Sequence, residues 1–356
     1  MKKLNLALIG QGRSGRNIHG AFLNSELNTL FNVVAVADLD PDRRRIAEKE
    51  YAGCTVYADY HDLLSRDDID LIVNATFSNL HYEISKTCLS AGKNVLVEKP
   101  FARNYYECCD LINTAKEKGV TLAVFHQSLF APYYAEVMKV IKSGILGEIT
   151  QINLRNNNFS RRWDWQTLQM KMGGSVYNTG PHPIGAALYF LDWDKNTRVA
   201  YSKLGRALTS GDAEDIAKII LATPGKPTVD IEINCNDAFA DYTVKVMGTK
   251  GTLKGTSQKY VMKYMVDGEN EPRSVIVETP KDENGYPAGC SDKPVVHEEE
   301  KNYVGSAFGS AVQEFYSMLY NTIVNGEPLL ITPQHIAQVI SVIETVHAQN
   351  PMEKVY

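Results

Sequence analysis

The sequence predicts an α/β chain: a doubly wound parallel sheet first, then a second α/β unit on a large, mostly antiparallel sheet. Three observations carry this. Up to about residue 145, nearly continuous apolar runs alternate with helical patterns, as expected for parallel strands covered on both faces. Between residues 150 and 279 the apolar residues fall in shorter alternating runs, at 216–221, 229–233 and 242–246, which read as antiparallel strands. Helical periodicity returns at 308–324 and 334–348,.

Residues 4–9 form a first apolar run ending at glycine, with a helix expected from about Ser14. A β-rich run at 31–37 ends at Asp38. Asp40 and Pro41 then read as an N-cap and first helical residue, with Gly53 closing the helix,. Strands follow at 71–75, 94–97 and 120–125, and a helix at 81–91 stops at Gly92. Asn104 and Glu107 have capping-box spacing, and Lys116, Lys118 and Gly119 close that helix,. Tyr133, Val137, Val140 and Ile141 mark an amphipathic helix ending at Ser143 and Gly144,. In the second part, 248–252 and 267–268 read as turns, and polar residues 281–300 as a surface excursion.

A length of 356 residues suits about two domains,. With 37 basic against 42 acidic residues the net charge is −5, which argues against nucleic acid as a partner. No apolar run reaches the roughly 18–20 residues of a membrane span. The start, Met1-Lys2-Lys3, leads into a strand and Gly10-Gln11-Gly12 rather than a small-residue cleavage site, so a cytoplasmic protein is expected. The six cysteines form no C-x-x-C pair and read as reduced thiols. The eight histidines are scattered without ligand spacing, so no metal site is expected. No G-x-S-x-G elbow supports hydrolase chemistry.

Gly10-Gln11-Gly12-Arg13-Ser14-Gly15 is a G-x-G-x-x-G segment between a strand and a helix. In that context the glycines allow a tight turn, close approach of a pyrophosphate and close helix packing. Asp38 lies 28 residues after Gly10, beyond the usual spacing of about 20, so the first helix or its loop is long. An acid there accepts from both ribose hydroxyls and repels a 2′-phosphate, favouring NAD over NADP. Arg43, Arg44 and Arg45 act against that preference if one of them meets a phosphate. Glu98-Lys99-Pro100 follows a strand, at the sheet edge where ligands bind. Lys99 there can donate to a substrate oxygen and depress a neighbouring base.

The fingerprint, Glu98-Lys99-Pro100, the segment from Thr76 to His81, and Gly173-Gly174 with His182 together resemble the Gfo/Idh/MocA oxidoreductases. Ile145-Leu146-Gly147-Glu148 and Gly326-Glu327-Pro328 with Thr332 extend the resemblance nearly end to end. It implies a Rossmann domain over residues 1–125 and a substrate-binding and oligomerisation domain over 126–356, with the last helices able to return to the first domain. It implies nicotinamide-dependent chemistry on sugars, polyols or related compounds. The cofactor is expected at Gly10, Gly12, Arg13, Ser14, Gly15, Asp38, Thr76, Asn79, His81, Glu98 and Lys99. Lys99 and His182 would face the nicotinamide. The family's dehydrogenases carry D-x-x-x-H where this chain has Asn178-Thr179-Gly180-Pro181-His182. Asn178 can orient a hydroxyl but supplies no charge to an imidazolium, while His182 can still act as the base.

Arg161, Arg162, Trp163, Asp164 and Trp165 form a cluster suited either to a sugar, with indole faces for C–H surfaces and polar ends for hydroxyls, or to a surface loop packed by its two tryptophans. His126 follows the fifth strand, with Gln127 and Ser128, where the family often has Asn or Arg. Tyr177 and Tyr303 read as packing. The expected reaction is hydride transfer between nicotinamide and a sugar or glycoside hydroxyl, with the glucoside 3-hydroxyl favoured. His182 would take the proton while Lys99 and Asn178 hold the carbinol. Two other readings are redox-assisted glycoside cleavage and a non-catalytic NAD- or sugar-sensing protein. A homo-oligomer through the C-terminal sheet is expected, since a large uncovered apolar face needs a partner.

Overall fold

The computed structural model describes residues 2–289, 291, 293–305 and 309–356. Cys290, and Phe308 at the head of a predicted helix, lie outside the described residues. The first sheet has six strands: β1 (Leu4–Ile9), β2 (Phe31–Ala37), β3 (Thr55–Tyr57), β4 (Leu71–Asn74), β5 (Asn94–Glu98) and β6 (Leu122–Phe125). Their order is β3-β2-β1-β4-β5-β6, and every pairing is parallel. The strand order reverses between β1 and β4, the switch point at which doubly wound sheets bind ligands. The carboxyl ends of these strands deliver Gly10, Asp38, Thr76, Lys99 and His126 to one edge.

Between β1 and β2 the chain makes a π-helical turn, Gly15–Gly20, before the short α1 (Ala21–Leu23). The sequence predicts an α-helix there. The wider turn leaves His19 fully buried. A loop braced by the Asn28 amide then reaches β2, which accounts for the long spacing to Asp38. The next helices are α2 (Pro41–Glu50), α3 (His81–Ser90), α4 (Tyr105–Lys118) and α5 (Pro132–Ser143). Asp40 caps α2 through the Asp42 N–H at 2.9 Å. Asn104 caps α4 through the Glu107 N–H at 2.9 Å. The Glu107 carboxylate accepts from the Arg103 N–H instead of closing the box on Asn104. Gly119 and Gly144 end their helices at φ +65° and +72°, a conformation that costs glycine little.

The second part begins with β7 (Ile149–Asn157), α6 (Ser175–Asn178) and α7 (Pro181–Phe190). The strands β8 (Arg198–Gly205), β9 (Ile216–Ala222), β10 (Thr228–Asn234), β11 (Val244–Gly248), β12 (Gly251–Gly255), β13 (Lys259–Tyr264) and β14 (His297–Asn302) follow. These and β7 make one sheet in the order β14-β13-β12-β11-β7-β10-β9-β8. Only β7 and β10 pair in parallel. Ile152, Leu154, Ile219, Val229, Ile231 and Val246 line its buried face, covered by α7 and the closing helix α9 (Pro333–Gln349), which follows α8 (Gly309–Asn325).

The outer face corrects one expectation. Its centre is charged rather than apolar: Arg155 grips Asp230 at 3.0 Å, and Lys218 bridges Asp230 and Glu232 at 2.7 and 3.2 Å. The apolar-face argument for a homo-oligomer therefore fails there. Strand β14 also begins inside the segment read as a surface excursion and runs two residues past it. All six of its residues are exposed, so it carries no period-two signal. Its glutamates pair with β13 lysines, Glu300 with Lys259 and Glu298 with Lys263.

Helix α8 returns to the first sheet. Tyr316 stacks on Phe22 at 4.7 Å and meets Phe31 edge-on at 5.3 Å, while Phe315 meets Phe125 at 5.0 Å. All five rings are buried. Five cysteines, Cys54, Cys88, Cys108, Cys109 and Cys235, are unbonded. Among the described residues no helix is long and apolar enough to cross a membrane. Phe315→Ala should destabilise the protein by about 3–5 kcal/mol, read from urea unfolding curves; a loss below about 1 kcal/mol would show that α8 does not belong to this core.

Candidate active site

The fingerprint loop divides its labour among the glycines. Gly10 sits at φ +91°, and a Cβ there would lie 2.7 Å from the Ala75 carbonyl oxygen. A Cβ on Gly15 would overlap the Gly10 carbonyl. At Gly12 the nearest neighbour is the Arg43 Nη1, 3.9 Å away, so the backbone there is open to a ligand. The Gln11 N–H donates to Asp38 Oδ2 at 2.6 Å, and the Asp40 N–H to Oδ1 at 2.9 Å. Arg43 stands 3.7 Å from the same carboxylate. Arg44 is spent on the Asp38 and Leu39 carbonyls, and Arg45 on Asp42. The Gln11 amide and Asn79 Oδ1 are buried without a hydrogen-bond partner, as expected of groups lining a ligand site. The open Gly12 backbone and these orphaned groups fit a dinucleotide. Arg13 and Ser14 begin the turn that follows, Arg13 exposed and Ser14 half-buried.

Glu98, only 3 % exposed, is turned away from the edge. Its Oε1 lies 3.2 Å from His19 Nε2, and its Oε2 accepts the Lys99 N–H at 3.0 Å. His19 Nδ1 is 2.7 Å from the Tyr316 hydroxyl. Burial pushes the Glu98 carboxyl up, but the His19 bond and charge outweigh it and hold it below the usual range,. His81 is equally buried. Its Nδ1 lies 2.7 Å from the Pro100 carbonyl and its Nε2 3.3 Å from the Thr76 carbonyl. Its ring is thus occupied by backbone, clamping the Glu98-Lys99-Pro100 bend to the Thr76 loop. Thr76 itself bonds Asn74 at 2.7 Å.

Lys99 reaches across to the second part of the chain: its Nζ donates to the Asn178 main-chain carbonyl at 2.8 Å. Burial depresses the ammonium; Glu98 raises it, and Arg162 and Arg13 lower it further. The Asn178 side chain does something else, accepting from Gln166 Nε2 at 2.9 Å. Asn178 ends α6, and His182 lies in the first turn of α7, where prolines 181 and 183 are tolerated because those N–H groups have no helical partner,. His182 Nδ1 is 2.8 Å from the Ser128 hydroxyl. Its ring stands edge-on to His126 at 5.6 Å. Burial, then the charges of Lys99 and His126, hold His182 well below 6.5. His126 is fully buried with neither ring nitrogen hydrogen-bonded. Burial, then Lys99, pushes it down to about 3. A Cβ on residue 185 would lie 2.6 Å from His126 Nε2, so Gly185 makes the room for this ring.

The tryptophan pair is split. Trp165 meets Phe77 edge-on at 5.1 Å, and Lys171 lies over the same Phe77 ring at 5.3 Å. Trp163 is 90 % exposed and does not join this corner. Arg162 Nη1 donates to Asp164 at 3.0 Å and to the Gln166 side-chain oxygen. Tyr177 donates to the Arg103 carbonyl and stacks on His347, and Tyr303 packs near Tyr133 and Tyr260. Sequence reasoning missed Gln166, His19 and Phe77, and gave Ser128 no role. The position of Ser128 just past a strand's carboxyl end was the one usable signal. Among the described residues no three His, Cys, Asp or Glu side chains gather as metal ligands.

Residues 4–126 match the model of the oxidoreductase family with an NAD-binding Rossmann fold, and residues 134–254 match the GFO/IDH/MocA C-terminal domain. The chain belongs to the Gfo/Idh/MocA oxidoreductases. It is 26 % identical over 228 residues to inositol 2-dehydrogenase/D-chiro-inositol 3-dehydrogenase of Lactiplantibacillus plantarum, covering 63 % of each chain. It is 27 % identical over 261 residues to an uncharacterised oxidoreductase of Schizosaccharomyces pombe, covering 71 % of this chain and 70 % of the other. An NAD-binding protein from Listeria innocua superposes with a TM-score of 0.77 at 18 % identity, over 99 % and 97 % of the two chains. A 3-ketoreductase from Actinomadura kijaniata, solved with NADP and TDP-benzene, gives 0.76 at 20 % over 98 % of both. The six-stranded parallel sheet and eight-stranded partner are thus the fold of this oxidoreductase family.

Three depressed histidines, His81, His126 and His182, set a pH dependence. Unfolded histidines bind protons near pH 6.5 while these rings refuse them, so stability is full above that pH and falls as pH drops through it. For His126 the loss between about pH 7.5 and about pH 5.5 is about 1.4 kcal/mol. Urea unfolding at both pH values should show His126→Gln shrinking the acid-induced loss by about that amount; an unchanged difference would overturn the assignment.

Proposed function

We propose that the chain is an NAD-dependent oxidoreductase moving hydride between nicotinamide and a hydroxyl of a sugar, polyol or glycoside. The carrying observation is the convergence of Lys99 and His182 beside the dinucleotide fingerprint, both held by burial toward their neutral forms. A neutral His182 can take the carbinol proton, while the N–H groups of Lys99 can donate to the same oxygen. The inositol dehydrogenase and the 3-ketoreductase named above support this substrate range. We assign residues 1–125 to the cofactor and 126–356 to the substrate, in a cytoplasmic protein whose free thiols suit that compartment,.

When bound, the nicotinamide supplies the hydride acceptor. Gly10 and Gly15 let the loop pack closely on Ala75 and on itself, Gly12 leaves its backbone open to the pyrophosphate, and Arg13, Ser14, Thr76 and Asn79 border it. Asp38 receives the adenosine ribose. Arg43 beside it can stack on the adenine or meet a 2′-phosphate, and the fixed Asp38 carboxylate weights the choice toward NAD. His182, donating Nδ1–H to Ser128, keeps Nε2 free to take the hydroxyl proton. Lys99, anchored on the Asn178 carbonyl, donates to the same oxygen. The Trp165–Phe77 corner suits the C–H surface of a pyranose,, and the glucoside 3-hydroxyl is the position we favour.

Stoichiometric enzyme with NAD or NADP and a panel of hexoses, glucosides and polyols tests this, following reduced-nicotinamide absorbance and product mass. One substrate should yield a product two hydrogens lighter. Lys99→Met and His182→Asn should each lower kcat by about 10²–10⁴ while dinucleotide still binds; near-normal turnover in both would sink the roles. An aglycone released without net reduced nicotinamide would instead favour redox-assisted cleavage. Asp38→Ala should raise the NADP-to-NAD ratio of kcat/KM about tenfold or more, and an unchanged ratio would remove Asp38 from cofactor choice.

A further inference from the structure

We infer that the substrate is a sugar acid, its carboxylate held between the free face of Arg162 and the Lys99 ammonium. This rests on the redox reading above and names the substrate class for the same site. A chain of hydrogen bonds crosses the cleft. Arg162 Nη1 donates to Gln166, Gln166 Nε2 donates to the Asn178 side chain, and Lys99 Nζ donates to the Asn178 main chain. Two cationic groups thus bracket two neutral amides. The carboxylate in this chain is Asp164, at its outer end, its side chain 42 % exposed, accepting from Arg162 through Nη1 and from the Gln166 N–H at 2.8 Å. Among the described residues Arg162 makes no hydrogen bond through Nη2 or Nε, and Lys99 Nζ has one acceptor for three N–H groups. Glu98 raises Lys99 through its charge but does not face the ligand side, because its oxygens face His19 and the backbone.

The unspent N–H groups of Arg162 and Lys99 leave this end of the pocket short of acceptors,. A neutral sugar brings as many donors as acceptors. A carboxylate brings acceptors only, in a plane that matches the guanidinium fork. A phosphate ester is a poorer match. Asp164 stays beside Arg162, and a second negative charge on the ligand would meet it with one free guanidinium edge to compensate.

Calorimetric titration of the full chain, with and without NADH, compares glucuronate and galacturonate with glucose, galactose and their 6-phosphates. The uronates should bind about tenfold or more tightly than the parent hexoses. High salt should reduce that preference, since part of it is an exposed charge contact. Arg162→Gln should abolish it, and Arg162→Lys should keep part of it. Equal affinity for acid and hexose, a preference surviving Arg162→Gln, or a stronger preference for the phosphates would each overturn the inference. Heat reports binding without turnover. Uronate preference without hydride transfer would therefore sink the redox reading alone, and turnover of neutral sugars without preference would sink this one alone.

Discussion

Glu98 is buried, held ionised, and touches nothing on the ligand side of the sheet, yet three separate parts of the chain are fastened to it. Its carboxylate bonds the N–H of Lys99, faces His19 from the fingerprint turn, and through that ring reaches Tyr316 on α8. A buried charge is tolerated only when it is countered; here Oε2 takes the Lys99 N–H, and His19 Nε2 stands 3.2 Å from Oε1, close but outside hydrogen-bond geometry. The partners must therefore stay where they are, and so must what they carry. The phosphate loop, the lysine and the returning helix become one rigid assembly. The aromatic packing of Tyr316 on Phe22 and Phe31 adds a hydrophobic seal over the same place.

The exchange of an acid for Asn178 looks more severe in the sequence than in the structure. Lys99 is positioned by the main-chain carbonyl of residue 178, which any side chain leaves in place. The amide turns instead to Gln166 and so to Arg162. His182 takes its orienting partner from Ser128. What the exchange changes is the electrostatic balance. Lys99 and Arg162 stand on the ligand side with no ligand-facing carboxylate at the inner end, and burial lowers both Lys99 and His182 from their usual values.

Local signals and long-range ones were legible to different degrees. Five of the six strands of the first sheet, the Asp40 and Asn104 caps and the glycine fingerprint each depend on residues close in sequence, and each was readable; the three-residue β3 was too short to show a pattern. His19 was not, because a histidine in a short helix looks ordinary until Tyr316, 297 positions away, is placed beside it. Gln166 has the same difficulty: its two partners are Arg162 and Asn178, on either side of a loop whose shape periodicity does not describe. Strand β14 was hidden for the opposite reason, since a strand exposed on both faces has no apolar pattern to show. The charged outer sheet face was missed because ion pairs such as Arg155 with Asp230 join strands distant in sequence, and apolar counting alone cannot see them.

Lys99 and His182, the pair proposed to handle the proton, are tied in opposite directions across the cleft. Lys99 leaves the first sheet and ends on the carbonyl of α6. His182 belongs to α7, packed on the second sheet, and ends on Ser128, just past the last strand of the first. Helix α6 is in turn set by Glu214, whose buried carboxylate accepts the Val176 N–H at 2.9 Å and fills the space beside Gly174 at φ +100°. Drawing the two sheets apart would therefore lengthen both bonds. Proximity of reacting groups is worth several kcal/mol and is lost over about an ångström. A pair of crossed anchors resists that loss better than two tethers on one side, because neither base can drift without pulling on the other's support.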